Sequence, residues 1–111
     1  MRTIKVMADY FCFPLWNVEE PANVDPESLP ISAALSDRLT AWAAEYDAVL
    51  DMDDPASSEW PSEDARRRFD EQGARISQDL ARELGSDYAV HYFSELRNRL
   101  VPVDQLAAAG G

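Results

Sequence analysis

Residues 62–93 read SEDARRRFDEQGARISQDLARELGSDYAVHYF, and this stretch predicts a helix followed by a strand. Ser62 is a residue type that caps helices, and the two acids after it suit the positive N-terminal end of a helix. The apolar positions that follow share one helical face, with Gly73 allowing close approach among them: Phe69, Ile76, Leu80 and Leu84. Gly85 can adopt a positive φ and predicts the end of this helix. The aromatic and β-branched residues 88–93 predict a strand.

Similar patterns precede this stretch. Ser32 can cap an earlier helix, whose apolar stripe is Leu35, Leu39, Trp42, Tyr46 and Leu50. Ile4, Val6 and Ala8 alternate with other residues and predict a first strand. Between these elements, residues 11–30 contain four prolines, which interrupt both helices and sheet ladders. We therefore predict a long loop there, and loops of this length are often functional.

The order of elements predicts an α+β fold, in which a small antiparallel sheet packs on a two-helix hairpin in the order β-α-α-β. If each connection reverses the chain, the two strands run antiparallel. Two strands alone are marginally stable, so we expect another, either an extra C-terminal edge strand around Pro102 or one from a second copy in a homodimer. The prediction is a single compact domain over residues 1–104 and a flexible C-terminal tail over residues 105–111.

Length and charge exclude several classes of function. With 111 residues the chain builds one compact core, which excludes the large enzyme scaffolds. Its net charge of -11 repels nucleic-acid phosphates and anionic membrane surfaces, so we expect no direct nucleic-acid binding and no membrane association. The single cysteine, Cys12, cannot form an intramolecular disulfide, and the N-terminus lacks a signal-peptide pattern. We expect a cytoplasmic protein.

The acidic residues are concentrated in the first part of the chain. Residues 1–64 hold fourteen acids and three bases, and residues 45–64 hold eight acids and no base. Glu45, Asp47 and Asp51 fall at the C-terminal end of the first predicted helix, where the helix dipole disfavours carboxylates. The three arginines at positions 66–68 can fold back toward the cluster, but three cations cannot neutralise eight acids. The remaining negative charge would attract a basic protein partner.

Aromatic residues add a second feature of protein interfaces. Tyr10, Phe11, Phe13 and Trp16 either form a surface patch beside the acids or plug the end of the sheet as core. Trp60 stands among polar residues in a loop and is the stronger candidate for an exposed anchor. The candidate partner-binding residues are therefore Glu45, Asp47, Asp51, Asp53, Asp54, Glu59, Trp60 and Trp16.

Catalytic and metal chemistry receives less support. Asp9, Tyr10, Cys12 and His91 are the residues from which a small enzyme or ligand-binding protein would be built. No recognised nucleophile motif surrounds Cys12, so an enzyme is the less favoured interpretation. The carboxylates Asp51, Asp53 and Asp54 lack the glycine and glutamate of an EF-hand loop, and no glycine-rich phosphate loop is present. We predict no metal site and no cofactor.

The sequence also resembles a family of small acidic bacterial proteins to which no activity is assigned. The residues that carry the resemblance span the chain to about Phe93: residues 8–10, Cys12, residues 14–16, 25–30, 46–47, 53–58 and 84–88. The resemblance implies a compact cytoplasmic bacterial protein and supplies no site residue. Such proteins are similar in size and acidity to immunity proteins, which bind and block a toxin.

These observations favour a small acidic protein-interaction module, an inhibitor or immunity-type protein that covers a basic site on its partner. A related hypothesis is a nucleic-acid mimic, in which carboxylates imitate phosphates. The alternative is the enzyme or ligand-binding protein with a site around Asp9, Tyr10, Cys12 and His91.

Overall fold

The computed structural model describes residues 2–49 and 60–106, which form one five-stranded sheet and two long helices. The strands are β1 (Arg2–Val6), β2 (Leu15–Asn17), β3 (Ala22–Val24), β4 (Tyr88–Ser94) and β5 (Arg99–Pro102). The helices are α1 (Ala33–Asp47) and α2 (Glu63–Leu84). Short 3-10 turns occupy Pro26–Ser28, Gly85–Asp87 and Val103–Gln105. The strand order across the sheet is β3-β2-β1-β4-β5.

The predicted α+β fold is confirmed, and so are both helix starts. Ser32 and Ser62 cap α1 and α2, because each side-chain hydroxyl accepts a hydrogen bond from the backbone three residues later. Gly85 ends α2 with φ 77° and ψ -163°, a backbone region open essentially to glycine alone. Among the described residues, neither helix is apolar enough over a sufficient length to cross a membrane.

The expectation that the first and last predicted strands run antiparallel is wrong. β1 and β4 are adjacent and parallel, with Ile4 opposite Val90. The cause lies in residues 11–30, which are not a simple loop but contain the hairpin β2–β3 and a 3-10 turn. After β3 the chain returns to the end of the sheet where β1 begins, and there Ser32 bonds the Glu83 carboxylate near the end of α2. This additional reversal makes β4 parallel to β1.

The predicted C-terminal edge strand is confirmed as β5, which pairs antiparallel with β4. Pro102 has no N–H to donate, and an edge strand is where a sheet tolerates it. Leu106 follows in the last described turn and is buried in the core. Residues 107–111 of the predicted tail lie outside the described residues, as does Leu50 of the first helical stripe.

The helices pack on one face of the sheet through a close contact at Gly73. The indole of Trp42 stacks on Phe69 with centroids 4.5 Å apart and donates from Nε1 to the Phe69 carbonyl at 3.0 Å. Tyr92 reaches the same place from β4, and its hydroxyl donates to the Asp70 carboxylate at 2.9 Å. A methyl group added at Gly73 would lie 2.5 Å from both Trp42 and Tyr92. A hydrogen at this position is what allows two aromatic side chains to meet over α2.

We expect Gly73→Ala to destabilise the fold by about 1–3 kcal/mol, because overpacking at this contact outweighs the better helix propensity of alanine. Urea denaturation measures the change. The matched control is Gln72→Ala, at the neighbouring exposed position, which should stay within about 0.5 kcal/mol of the wild type. Equal stability of the two variants would contradict the packing account.

Candidate functional site

The turn formed by residues 9–13, called here the Phe11 turn, lies between β1 and β2 and is held by hydrogen bonds to its backbone. The Met7 N–H donates to the Pro14 carbonyl at 2.9 Å and closes the base of the turn. The Cys12 N–H donates to the Asp9 carbonyl at 3.3 Å. The Phe11 N–H donates to the carboxylate of Asp47, the last residue of α1, at 3.0 Å. The end of α1 therefore fixes the tip of the turn.

This turn displays aromatic side chains to solvent. Phe11 is 71% exposed and Phe13 is 46% exposed. Tyr10 is half-buried and stacks on Tyr46 with ring centroids 4.7 Å apart. Phe11 and Phe13 therefore match the predicted surface patch, whereas Tyr10 packs against α1.

The backbone of the turn is unusual. Phe11 has φ 59°, in a region that bulky side chains rarely occupy. Asn98 has a similar φ of 52°, but asparagine is a residue type that tolerates this conformation. On the other side, Asn23 of β3 holds Phe13 twice: its Oδ1 accepts from the Phe13 N–H at 2.9 Å, and its Nδ2 donates to the Phe13 carbonyl at 2.7 Å. The turn is thus bound both to α1 and to the sheet.

Trp16 lies on the face of the sheet opposite the helices. It pairs with Lys5, which in turn pairs with His91, so the three side chains share this face. The Lys5 ammonium lies 5.8 Å from the Trp16 ring centroid, within range of a cation–π attraction. The Trp16 indole also donates to the Met7 carbonyl at 2.9 Å. Trp16 is consequently half-buried.

The described candidate acids carry no ion pair within the described part of the chain. Glu45 is exposed and Asp47 half-buried at the end of α1, and neither belongs to a salt bridge described there. Arg66 and Arg67 pair instead with Glu63 and Asp64, at the start of their own helix. Within the described residues, no ion pair joins any of the three arginines to an acid of α1. Asp51, Asp53, Asp54 and Glu59 lie outside the described residues.

The predicted full exposure of Trp60 is wrong. This side chain is half-buried, with its ring centroid 4.8 Å from that of Phe69 and 6.3 Å from that of Tyr46. Trp60 and Glu45 line an open cavity of about 570 Å³ beside α2. Trp60 stacks on aromatic residues that are far from it in the sequence. This packing outweighs the polarity of its neighbours in the chain.

A second open cavity, of about 450 Å³, brings together residues that the sequence analysis did not group: Tyr10, Tyr46, Arg66 and Glu95. Burial raises the pKa of the Glu95 carboxyl, an effect that Arg66 opposes and Asp70 reinforces. Burial and nearby carboxylates also raise the pKa of Tyr46. Arg66 further donates to the Glu95 backbone carbonyl at 2.9 Å. No spacing in the sequence signals this group, because its members come from the turn, both helices and the end of β4.

The alternative site around Asp9, Tyr10, Cys12 and His91 is not assembled as one constellation. The first three residues belong to the Phe11 turn, whereas His91 pairs with Lys5 and Pro102 in the middle of the sheet. No hydrogen bond within the described part of the chain joins Cys12 to His91. In the same part of the chain, no three potential ligands cluster closely enough to hold a metal ion. Of the four residues, only Tyr10 lines one of the cavities described here.

The fold and the turn define a small α+β protein that presents exposed aromatic side chains beside carboxylates. The model of a family described as Serratia CdiI immunity protein-like matches residues 2–95, and the chain belongs to this family. The match covers the elements from β1 to β4 and includes the whole Phe11 turn. No curated protein sequence matches the chain. The likeness to immunity proteins is thereby confirmed at the level of the family.

The pH dependence of stability tests the environment of Glu95. The folded-state pKa of this carboxyl is raised above its ordinary value of 4.5, so the folded chain holds the proton more tightly than the unfolded chain. The ionised Glu95 carboxylate therefore lowers the stability of the fold. This loss of stability is absent below pH 4.5 and complete once the pH exceeds the raised pKa.

We expect Glu95→Gln to melt at a higher temperature than the wild type at neutral pH, with a difference that shrinks as the pH falls toward 4.5. Thermal unfolding followed by circular dichroism between about pH 4 and pH 7 measures it. Glu20→Gln, on an exposed carboxyl, is the matched control. A lower melting temperature for Glu95→Gln at neutral pH would contradict the assignment.

Proposed function

We propose that this chain is an immunity-type inhibitor that binds a basic protein partner through the acidic end of α1 and the adjacent Phe11 turn. Membership of an immunity protein-like family is the observation that carries the proposal. The charge distribution supports it, because the described acids at this end have no ion-pair partner in the described part of the chain.

The acidic surface is defined here by Asp9 and Asp47, beside the Phe11 turn, whereas Glu45 lies toward α2 at the cavity that it lines with Arg68. Asp47 bonds the Phe11 turn directly, and Asp9 lies close enough to Tyr46 for its charge to act on that phenol. The sequence adds Asp51, Asp53, Asp54 and Glu59 in the segment that follows α1. A concentration of one charge sign steers an oppositely charged protein toward it and raises the association rate.

The position of these acids argues against a role in stability. Carboxylates at the C-terminal end of a helix face the negative pole of its dipole and cost some tenths of a kcal/mol each. Asp47 has a structural use in its bond to Phe11, but Glu45 has no hydrogen-bond or ion-pair partner within the described residues. A partner's cations would compensate for this cost.

The partner can be captured from a lysate of the native source. We expect the wild type to retain one basic protein whose activity it inhibits, and the Asp51→Asn/Asp53→Asn/Asp54→Asn variant to retain much less. The matched control removes three charges elsewhere, as Glu20→Gln/Glu27→Gln/Asp104→Asn, at exposed positions. Capture should survive in this control. Equal capture by both triple variants would contradict the proposed surface.

The salt dependence of association gives an independent prediction. With the captured protein, we expect the association rate constant to fall by about tenfold or more between low salt and ~0.5 M salt, because screening removes the steering. Stopped-flow or surface-based kinetics measures it. An association rate that does not change with salt would exclude electrostatic steering by this surface.

A further inference from the structure

We propose that Phe11 is the central anchor of the partner interface, and that it inserts into an apolar pocket rimmed by basic groups on the partner protein. The inference rests on the proposed function and names the chemistry of its partner: an apolar pocket for the ring, with arginine or lysine side chains around it to face Asp9 and Asp47.

The first support is the cost of displaying this side chain. Single exposed apolar residues are common on protein surfaces and need no explanation. Phe11 differs because it combines 71% exposure with a φ of 59°, whereas a backbone at this φ is usually given to glycine or asparagine. Strained backbone of this kind persists only where the surroundings enforce it, and it concentrates at functional sites.

The second support is preorganisation. Asp47 holds the Phe11 amide from α1, and Asn23 holds both backbone groups of Phe13 from β3. Tyr10 stacks on Tyr46 and fixes the first side of the turn. An aromatic side chain on a clamped backbone loses little conformational freedom on binding, which is the property of interface hot spots.

The third support is the charge around the turn. The Asp9 and Asp47 carboxylates shape the turn, because they accept hydrogen bonds from the Tyr10 and Phe11 N–H groups. Neither carboxylate has an ion-pair partner within the described part of the chain. An aromatic side chain ringed by carboxylates complements a pocket ringed by cations. The exposed Phe13 beside it provides a second apolar contact.

A photo-crosslinking amino acid placed at position 11 tests the inference directly. The probe is benzoylphenylalanine, incorporated at position 11 and, as a matched control, in place of the exposed Leu100 on β5. Irradiation in a lysate of the native source should join position 11 to one basic protein, identified by mass spectrometry, and position 100 should not join it. Wild-type protein added in excess as a competitor should suppress the adduct at position 11. The Phe11→Gly variant should require a concentration about tenfold higher or more to suppress it equally.

The stability of the same variant separates anchoring from folding. Phe11→Gly should melt no lower than the wild type, because glycine accepts a positive φ and the lost ring is exposed. Asp47→Asn keeps an oxygen acceptor for the Phe11 amide, and Asp47→Ala removes it. The Asp47→Asn variant should therefore compete better than the Asp47→Ala variant for the crosslinked protein. Equal competition by the two variants would overturn the positioning role of Asp47.

The outcomes distinguish this inference from the proposed function. If the wild type captures its basic protein but position 11 forms no adduct with it, or if Phe11→Gly competes as well as the wild type, the anchor is wrong and the acidic inhibitor stands. If neither capture nor crosslinking yields a basic protein, both are wrong.

Discussion

The close contact of Trp42 and Tyr92 over Gly73 sets how the two helices pack on the sheet. It fixes the depth and the rotation of α2 on the sheet, and the stacking of Trp42 on Phe69 then fixes α1 beside α2. Because α1 is placed in this way, its last residue reaches the turn after β1. The bond from Phe11 to Asp47 is thus a consequence of how core packing places α1.

Two local choices at this end of the molecule oppose stability. An acidic residue ends α1, where the helix dipole disfavours it, and a phenylalanine occupies a backbone conformation suited to glycine. One hydrogen bond joins these two residues, from the Phe11 N–H to the Asp47 carboxylate. Natural sequences depart from locally favourable choices chiefly at functional sites, so this coincidence is an argument for function that depends neither on the family match nor on net charge.

The sequence predicted the elements that carry strong local signals. Ser32, Ser62 and Gly85 set helix boundaries through backbone chemistry that acts within four residues, and the structure confirms all three. The strands β2 and β3 escaped prediction because each has three residues and lies among prolines. The return of the chain after β3 to the end of the sheet where β1 begins makes β4 parallel to β1. The Phe11 turn depends on contacts with Asn23 and Asp47, the latter 36 positions away, which no periodicity reveals.

Amide hydrogen exchange at Phe11 tests the central claim that α1 holds a strained aromatic turn in place. We expect the Phe11 amide of the wild type to exchange more slowly than that of Asp47→Ala, with core amides such as that of Val90 unchanged between the two. The same Phe11 exchange rate in both proteins would contradict the account, because Asp47 would then have no part in fixing the turn.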